Sequence, residues 1–185
     1  MSESITPIKT DYNGIQFRSR LEARWAVFFD AVGVKYEYEP DSFMIGGIRY
    51  IPDFYLPDLK QYVEVKPYRA GAFMEVAKTL GIIGTGKIKS LLVLSNFPEE
   101  TNMAAAYPAV YAHPVSGNIV VEWCLLGKSP RRGFTIAPLC KYFDIDKYSD
   151  NEEIFFKPMC KPHSGEFRGI DLHECYTKAK GYRFD

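Results

Sequence analysis

Hydrophobic positions near the start of the chain recur with the period of a helix. Five large apolar residues have this spacing: Leu21, Trp25, Phe28, Phe29 and Val32. Ser19 precedes them with Glu22 three positions later, which is a capping-box pattern, and Gly33 follows them. We therefore predict a helix from about residue 19 to residue 32.

Alternating apolar and polar residues then predict strands joined by tight turns. Five segments have strand character: 34–39, 43–45, 48–51, 51–56 and 62–67. Gly46-Gly47 is a two-residue hairpin turn, and residues 57–60 contain the Pro and Asp of a second turn. Residues 72–80 are predicted to be helical and residues 89–95 to form a buried strand. This order of elements is typical of a mixed sheet with helices packed on it.

The second half of the chain has weaker patterns. We expect a strand at 119–126 and a short helix at 172–180. Residues 128–170 contain four prolines, so we expect this stretch to be loop-rich.

These elements predict an α/β (α+β) fold with a mixed central sheet of four to five strands flanked by helices. We divide the chain into a flexible tail at 1–13, a core at 14–100 and a C-terminal extension at 101–185. The extension either completes the domain or forms a small appendage.

Composition and charge exclude few classes of protein. The chain has 185 residues, 46% of them apolar and 25% charged, as in an ordinary globular domain. The 23 basic and 23 acidic residues balance, which argues against a charge-driven coat on nucleic acid but not against a nuclease. Because no apolar run is long enough to span a membrane and no signal peptide opens the chain, we expect a cytoplasmic protein without a membrane partner.

Asp53, Glu64 and Lys66 form the strongest candidate site in the sequence. Alternation along the second strand of the predicted hairpin places Glu64 and Lys66 on one face and Val65 toward the core. Two carboxylates from adjacent strands suit Mg²⁺, the backbone carbonyl of Val65 lies within reach of the same ion, and Lys66 could assist an attacking water. Taken alone, Glu-x-Lys is more common on an exposed strand face, and Pro-Asp is common in turns.

Glu22 is a third candidate carboxylate with two competing roles. At the capping-box position it would bond the Ser19 amide and have no part in chemistry. It also shares a helix stripe with Trp25 and Phe29, so it could point toward the sheet and bind a metal-ligated water. The residues alone favour neither role.

The order of these residues resembles the PD-(D/E)XK nuclease superfamily. The matching segments are Gly14-x-x-Phe17-Arg18-Ser19-x-x-Glu22-Ala23-Arg24-Trp25-Ala26, Tyr36-x-Tyr38-Glu39-Pro40, Pro52-Asp53-Phe54 and Glu64-Val65-Lys66-Pro67. The resemblance extends over residues 14 to about 95, and its particular form is similar to small endonuclease-like proteins of phages and mobile elements.

The resemblance implies a restriction-endonuclease-like core and a Mg²⁺-dependent endodeoxyribonuclease in which Mn²⁺ can substitute. By that likeness Asp53 and Glu64 are the metal ligands, Lys66 is the catalytic lysine, and Glu22 is the helix acid. The implied partner is DNA. A homodimer, a nicking monomer and delivery by a targeting protein all stay open.

Several basic and aromatic residues are candidates for contact with nucleic acid: Arg18, Arg20, Tyr62, Lys128, Arg131 and Arg132. The last three belong to a basic segment, 127–134, whose composition suits a flexible loop on a phosphate backbone. Side chains of these types are individually more often solvated or packed than functional.

The four cysteines, Cys124, Cys140, Cys160 and Cys175, show no paired framework. A zinc site from Cys160, His163, His173 and Cys175 is conceivable, but the chain has no CxxC pair. We favour buried or incidental free cysteines over zinc.

Two other functions remain open at this point. A DNA-binding or protein-binding module could use the same fold with a silent acidic cluster. An RNA-processing nuclease would share the chemistry and differ only in its substrate.

Overall fold

The computed structural model describes residues 7–67, 81–99, 106–112, 118–129, 133–138 and 172–184. The strands are β1 (Thr10–Tyr12), β2 (Ile15–Phe17), β3 (Glu37–Tyr38), β4 (Phe43–Ile45), β5 (Ile48–Tyr50), β6 (Phe54–Leu56), β7 (Gln61–Val65), β8 (Ser90–Leu94), β9 (Ala106–Ala112), β10 (Ile119–Ser129) and β11 (Gly133–Pro138). The helices are α1 (Arg20–Val32) and α2 (His173–Gly181), and a short 3-10 helix covers Pro57–Leu59. The protein is therefore of mixed α and β structure.

The predicted helix at 19–32 is confirmed as α1. Ser19 is its N-cap, and its side chain accepts a hydrogen bond from the Glu22 amide at 3.2 Å. Gly33 ends the helix in the left-handed region with φ 80°, a conformation that glycine adopts without steric cost.

Seven strands form the central sheet in the order β11-β10-β9-β8-β7-β6-β3. β7 and β8 are parallel, and every other neighbouring pair is antiparallel. The expectation of a mixed sheet is confirmed, but the expected number of four to five strands is too low, because β9 and β11 also pair into it.

Both predicted hairpins are present. β4 and β5 pair across Gly46-Gly47, whose φ angles of 54° and 84° are those of a turn that only glycine forms readily. β6 and β7 pair across the 3-10 helix Pro57–Leu59. The first hairpin forms a separate two-stranded sheet, whereas the second lies in the central sheet.

The described part of the C-terminal half belongs to the same fold. β10 is longer than the predicted strand at 119–126, and β11 lies inside the stretch expected to be loop-rich, so that expectation is wrong for residues 133–138. α2 confirms the predicted C-terminal helix and packs against α1. Residues 139–171 lie outside the described part of the chain.

Two smaller differences concern the first half. β1 occupies residues within the expected flexible tail, where it pairs with β2. The predicted helix at 72–80 lies outside the described residues, and residues 81–84 are helical. None of the helices that the structure describes is long and apolar enough to cross a membrane.

Hydrophobic residues cover both faces of the central sheet. On one face, α1 and α2 pack an aromatic cluster in which Trp25, Phe28 and Tyr176 are almost fully buried. On the other face, Ile82, Ile83 and Ile88 pack with β8 and with the β4–β5 hairpin. Side chains of β7 alternate between these two faces, which positions Glu64 opposite the face that α1 covers.

Candidate functional site

The candidate site lies where β6 begins and β7 ends. These strands are antiparallel, so the residue before β6 and the last residues of β7 meet at one end of the sheet. Asp53 and Glu64 are both buried there, with 3% and 4% of their surface exposed. Carboxylates are rarely buried to this degree unless they have partners, so the contacts of each oxygen decide what the site can do.

Asp53 is held by one main-chain donor and one cation. Its Oδ2 atom accepts a hydrogen bond from the Val65 amide at 2.6 Å, which connects the start of β6 to the end of β7. Its Oδ1 atom lies 2.6 Å from Nη2 of Arg18, whose side chain comes from the segment before α1.

Glu64 is oriented by two side chains. Its Oε2 atom accepts a hydrogen bond from the Tyr50 hydroxyl at 2.8 Å, and its Oε1 atom lies 2.6 Å from Nζ of Lys66. Burial and the nearby Glu64 carboxylate raise the pKa of Tyr50 well above its usual range, so its hydroxyl stays a donor. Lys66 keeps 39% of its side chain exposed and can therefore meet a substrate from solvent.

Glu22 combines a helix cap with a place in the site. Its amide donates to Ser19 Oγ, and the same hydroxyl donates to Glu22 Oε1 at 2.7 Å. Its Oε2 atom accepts from the Arg18 amide at 3.2 Å and from the Tyr38 hydroxyl at 2.7 Å, so its carboxylate does not bond the Ser19 amide as a plain capping box would. The carboxylate is near enough to Asp53 to raise its pKa.

Negative charge is in excess at this end of the sheet. Burial, reinforced by the charges of Glu64 and Glu22, raises the pKa of Asp53 to about 8, although the Val65 amide and Lys66 act in the opposite direction. The ionisable groups joined in this network are the carboxylates Glu22, Glu39, Asp53 and Glu64 and the cations Arg18 and Lys66. With all six of these described groups ionised, they would carry two more negative than positive charges.

The donor set fits a magnesium ion. Mg²⁺ uses one or two carboxylates and takes its other ligands from water and substrate phosphate. Asp53 and Glu64 offer such a pair, and a divalent ion would offset the two excess charges. In the parts of the chain that the structure describes, no group of three or more His, Cys, Asp or Glu side chains forms a candidate metal cluster.

The other predicted contacts with nucleic acid differ in their placement. Arg18 lies in the site itself, where its guanidinium contacts Asp53 and Glu39. Arg20 is exposed on the first turn of α1. Tyr62 packs its ring against Tyr55 and bonds Asp41 through its hydroxyl, so packing explains its position.

The basic segment and the cysteines lie away from this site or outside the described residues. Lys128 belongs to β10, where it pairs with Phe134 of β11, so the expected flexible loop at 127–134 is partly a hairpin. Arg131 and Arg132 fall outside the described residues, as do Cys140, Cys160 and His163. Cys124 and Cys175 are buried in the core, as expected for incidental cysteines.

Sequence reasoning missed two tyrosines and an acid that organise the site. Tyr38 and Glu39 belong to a segment matched in the resemblance, and they contact Glu22 and Arg18 respectively. Tyr50 had no such signal, because its contact with Glu64 joins two elements that no local pattern connects.

Comparisons with known proteins give no match: no family model fits the chain, and neither a curated protein nor a solved structure is significantly similar to it. Its function is therefore inferred from the site itself.

Proposed function

We propose that this protein is a Mg²⁺-dependent endodeoxyribonuclease with a restriction-endonuclease-like core of the PD-(D/E)XK type. One observation carries the proposal: Asp53 and Glu64, two buried carboxylates from adjacent strands, meet at one end of the sheet with Lys66 beside them. An arrangement that served only stability would have less reason to bury two carboxylates beside each other.

Asp53 and Glu64 would hold the metal, and the backbone carbonyl of Val65 would add an oxygen ligand. When bound, Mg²⁺ would activate a water molecule and offset negative charge on the phosphate. Tyr50 and the Val65 amide keep the two carboxylates in fixed orientations, so little rearrangement is needed to bind an ion. Mn²⁺ prefers similar oxygen ligands and would substitute.

Lys66 would act on the substrate side of the pair. Its ammonium group lies on Glu64 and is part-exposed, so it can approach a phosphate while it stays beside the carboxylate. There it would stabilise the negative charge that develops on the phosphate oxygens and help to position the attacking water.

Glu22 would orient a water molecule from the helix side. Its carboxylate is fixed by Ser19, Tyr38 and the Arg18 amide. These three donors hold the carboxylate in one orientation, from which its oxygens can also accept a hydrogen bond from water.

The direct test is cleavage of supercoiled plasmid, of branched and single-stranded DNA, and of RNA, each with Mg²⁺, Mn²⁺ or EDTA. Asp53→Ala and Lys66→Ala would be compared with Asp58→Ala and Lys35→Ala, which remove the same charges from exposed positions. We expect metal-dependent DNA cleavage that both site variants abolish and both control variants retain.

The panel also separates the alternatives. Cleavage confined to RNA would replace the DNA nuclease with an RNA-processing enzyme. Absence of cleavage together with absence of Mg²⁺ binding by calorimetry would contradict the proposal and favour a binding module on the same fold.

A further inference from the structure

Arg18 has an unusual position for a residue expected to bind phosphate. Its Nη2 atom lies 2.6 Å from Asp53 Oδ1, and its Nε atom lies 2.5 Å from Glu39 Oε1. Its guanidinium is thus bound to two carboxylates, one of which is a candidate metal ligand. Nevertheless 52% of the side chain is exposed, so the group lies at the mouth of the site rather than inside it.

The main chain of Arg18 is fixed independently of its side chain. Its amide donates to Glu22 Oε2 at 3.2 Å and to the Tyr38 hydroxyl at 2.9 Å. The guanidinium can therefore leave Asp53 by rotation of side-chain torsions, while the backbone and Glu22 stay in place.

A metal ion and Arg18 would compete for the same oxygen. Asp53 Oδ2 is engaged by the buried Val65 amide, so Oδ1 is the atom that an incoming ion would share with the guanidinium. Two cations this close repel each other strongly in a buried setting. The guanidinium also has a planar array of donors that binds phosphate oxygens in pairs.

We propose that Arg18 is an exchangeable cation of the site: it occupies Asp53 Oδ1 until a divalent metal takes that oxygen, and it then binds a phosphate of the nucleic-acid substrate. The negative charge of Glu39, which forms an ion pair with the same guanidinium, keeps the released group at the mouth of the site. This inference rests on the proposed function and adds a residue that couples metal binding to substrate binding.

The exchange predicts opposite effects of one substitution on two ligands. Arg18→Ala removes a competitor for Asp53, so Mg²⁺ measured alone by calorimetry should bind about fivefold more tightly, the upper range for a part-exposed ion pair. The same variant should bind DNA about tenfold more weakly, measured in Ca²⁺ so that the DNA is bound but not cleaved. The dependence of its DNA affinity on salt concentration should also decrease, by the amount expected for the loss of about one phosphate contact.

Matched variants separate the exchange from simpler effects. Arg49→Ala removes an exposed arginine that forms no ion pair with a described residue, so it measures the effect of net charge alone. Arg18→Lys keeps the positive charge, so it should recover part of the DNA affinity. A lysine cannot bind two phosphate oxygens in parallel as a guanidinium does, so the recovery should be incomplete. Thermal melting of each variant verifies that it folds.

The outcomes distinguish the inference from the proposed function. Weaker binding of both ligands by Arg18→Ala would overturn the exchange and make Arg18 a support for Asp53. Effects equal to those of Arg49→Ala would also overturn it. If the wild-type protein itself binds no divalent metal, the proposed function fails as well.

Discussion

Helix α1 contributes to two regions with opposite chemistry, and they lie within one turn of each other. Around Trp25 and Phe28 the surroundings are aromatic, and the single indole N–H donates to the Ser95 carbonyl at 2.9 Å. Around Glu22 the neighbours are carboxylates and cations, and negative charge is left in excess. The first region is typical of a core that stabilises the fold, and the second is typical of a site that binds a ligand.

The comparison teaches how one helix can serve both purposes. Stacking of Phe28 on Tyr176 and of Trp25 on Phe97, with centroid distances of 4.8 Å and 4.3 Å, anchors α1 without any contribution from charge. The packing of the rest of the domain then offsets the free-energy cost of burying Asp53. Substitutions in the two regions should therefore affect different measurements.

The largest expected effect is on activity. Asp53→Asn removes one carboxylate of the proposed metal site while it keeps the shape of the side chain, and we expect the rate of DNA cleavage to fall by about 10³-fold or more. The melting temperature without metal should not fall, and circular dichroism would verify this. Loss of activity that merely follows loss of folding would contradict the separation of the two regions.

A substitution in the aromatic cluster should affect stability and leave activity unchanged. Phe28→Ala removes a fully buried ring, so the free energy of unfolding should fall by about 3–5 kcal/mol in urea titrations. Phe28→Leu keeps most of the volume and should cost roughly 1.5 kcal/mol. Folded Phe28→Leu should cleave DNA at the rate of the wild type. A clear loss of cleavage in this folded variant would show that the aromatic cluster also affects the site.

The third prediction concerns pH. The pKa of Asp53 is raised from 3.8 to about 8, so between these values the folded chain holds a proton that the unfolded chain has released. Raising the pH through this range without metal therefore lowers the free energy of unfolding. Asp53→Asn should lack this contribution, so its stability relative to the wild type should increase as the pH rises toward 8.

Urea titrations across this pH range would measure that difference. Asp58→Asn, at an exposed position, should follow the wild-type curve. A stability advantage of the wild type over Asp53→Asn that grows with pH would show that folding stabilises the Asp53 anion, which contradicts a raised pKa.

The smallest expected effect is at Tyr50. Tyr50→Phe removes the hydroxyl that donates to Glu64 and leaves the ring packed, so Mg²⁺ affinity should fall by about 1 kcal/mol, or about fivefold. Calorimetry would measure the affinity, with Tyr55→Phe as the control at a half-buried tyrosine of β6. Equal affinities of wild type and Tyr50→Phe would show that the hydroxyl does not orient the ligand.

Local signals explain which parts of the fold the sequence predicts. The Ser19 cap, the Gly33 end and the Gly46-Gly47 turn are each determined by a few adjacent residues, and all three are confirmed. The sequence pattern did not predict β9 and β11, because Pro108 and Pro138 weaken the strand pattern. In the folded chain, β9 pairs with β8 and β11 pairs with β10, and this pairing stabilises strands that local propensity does not favour.

In the candidate site, too, the sequence predicts local arrangements but not contacts between distant elements. Asp53, Glu64 and Lys66 could be found because short spacing and strand alternation place them together. The partners that fix them, Tyr50 and Arg18, come from separate elements and meet them only in the folded chain. Sequence spacing could not predict that Arg18 contacts Asp53 rather than a phosphate.

The most direct test of the account is a calorimetric titration of Mg²⁺ into the wild-type protein and into Asp53→Asn at the same pH. We expect saturable binding to the wild type and a large loss of affinity in the variant. Equal binding by both proteins, or absence of binding by the wild type, would contradict the claim that the buried pair Asp53 and Glu64 is a metal site.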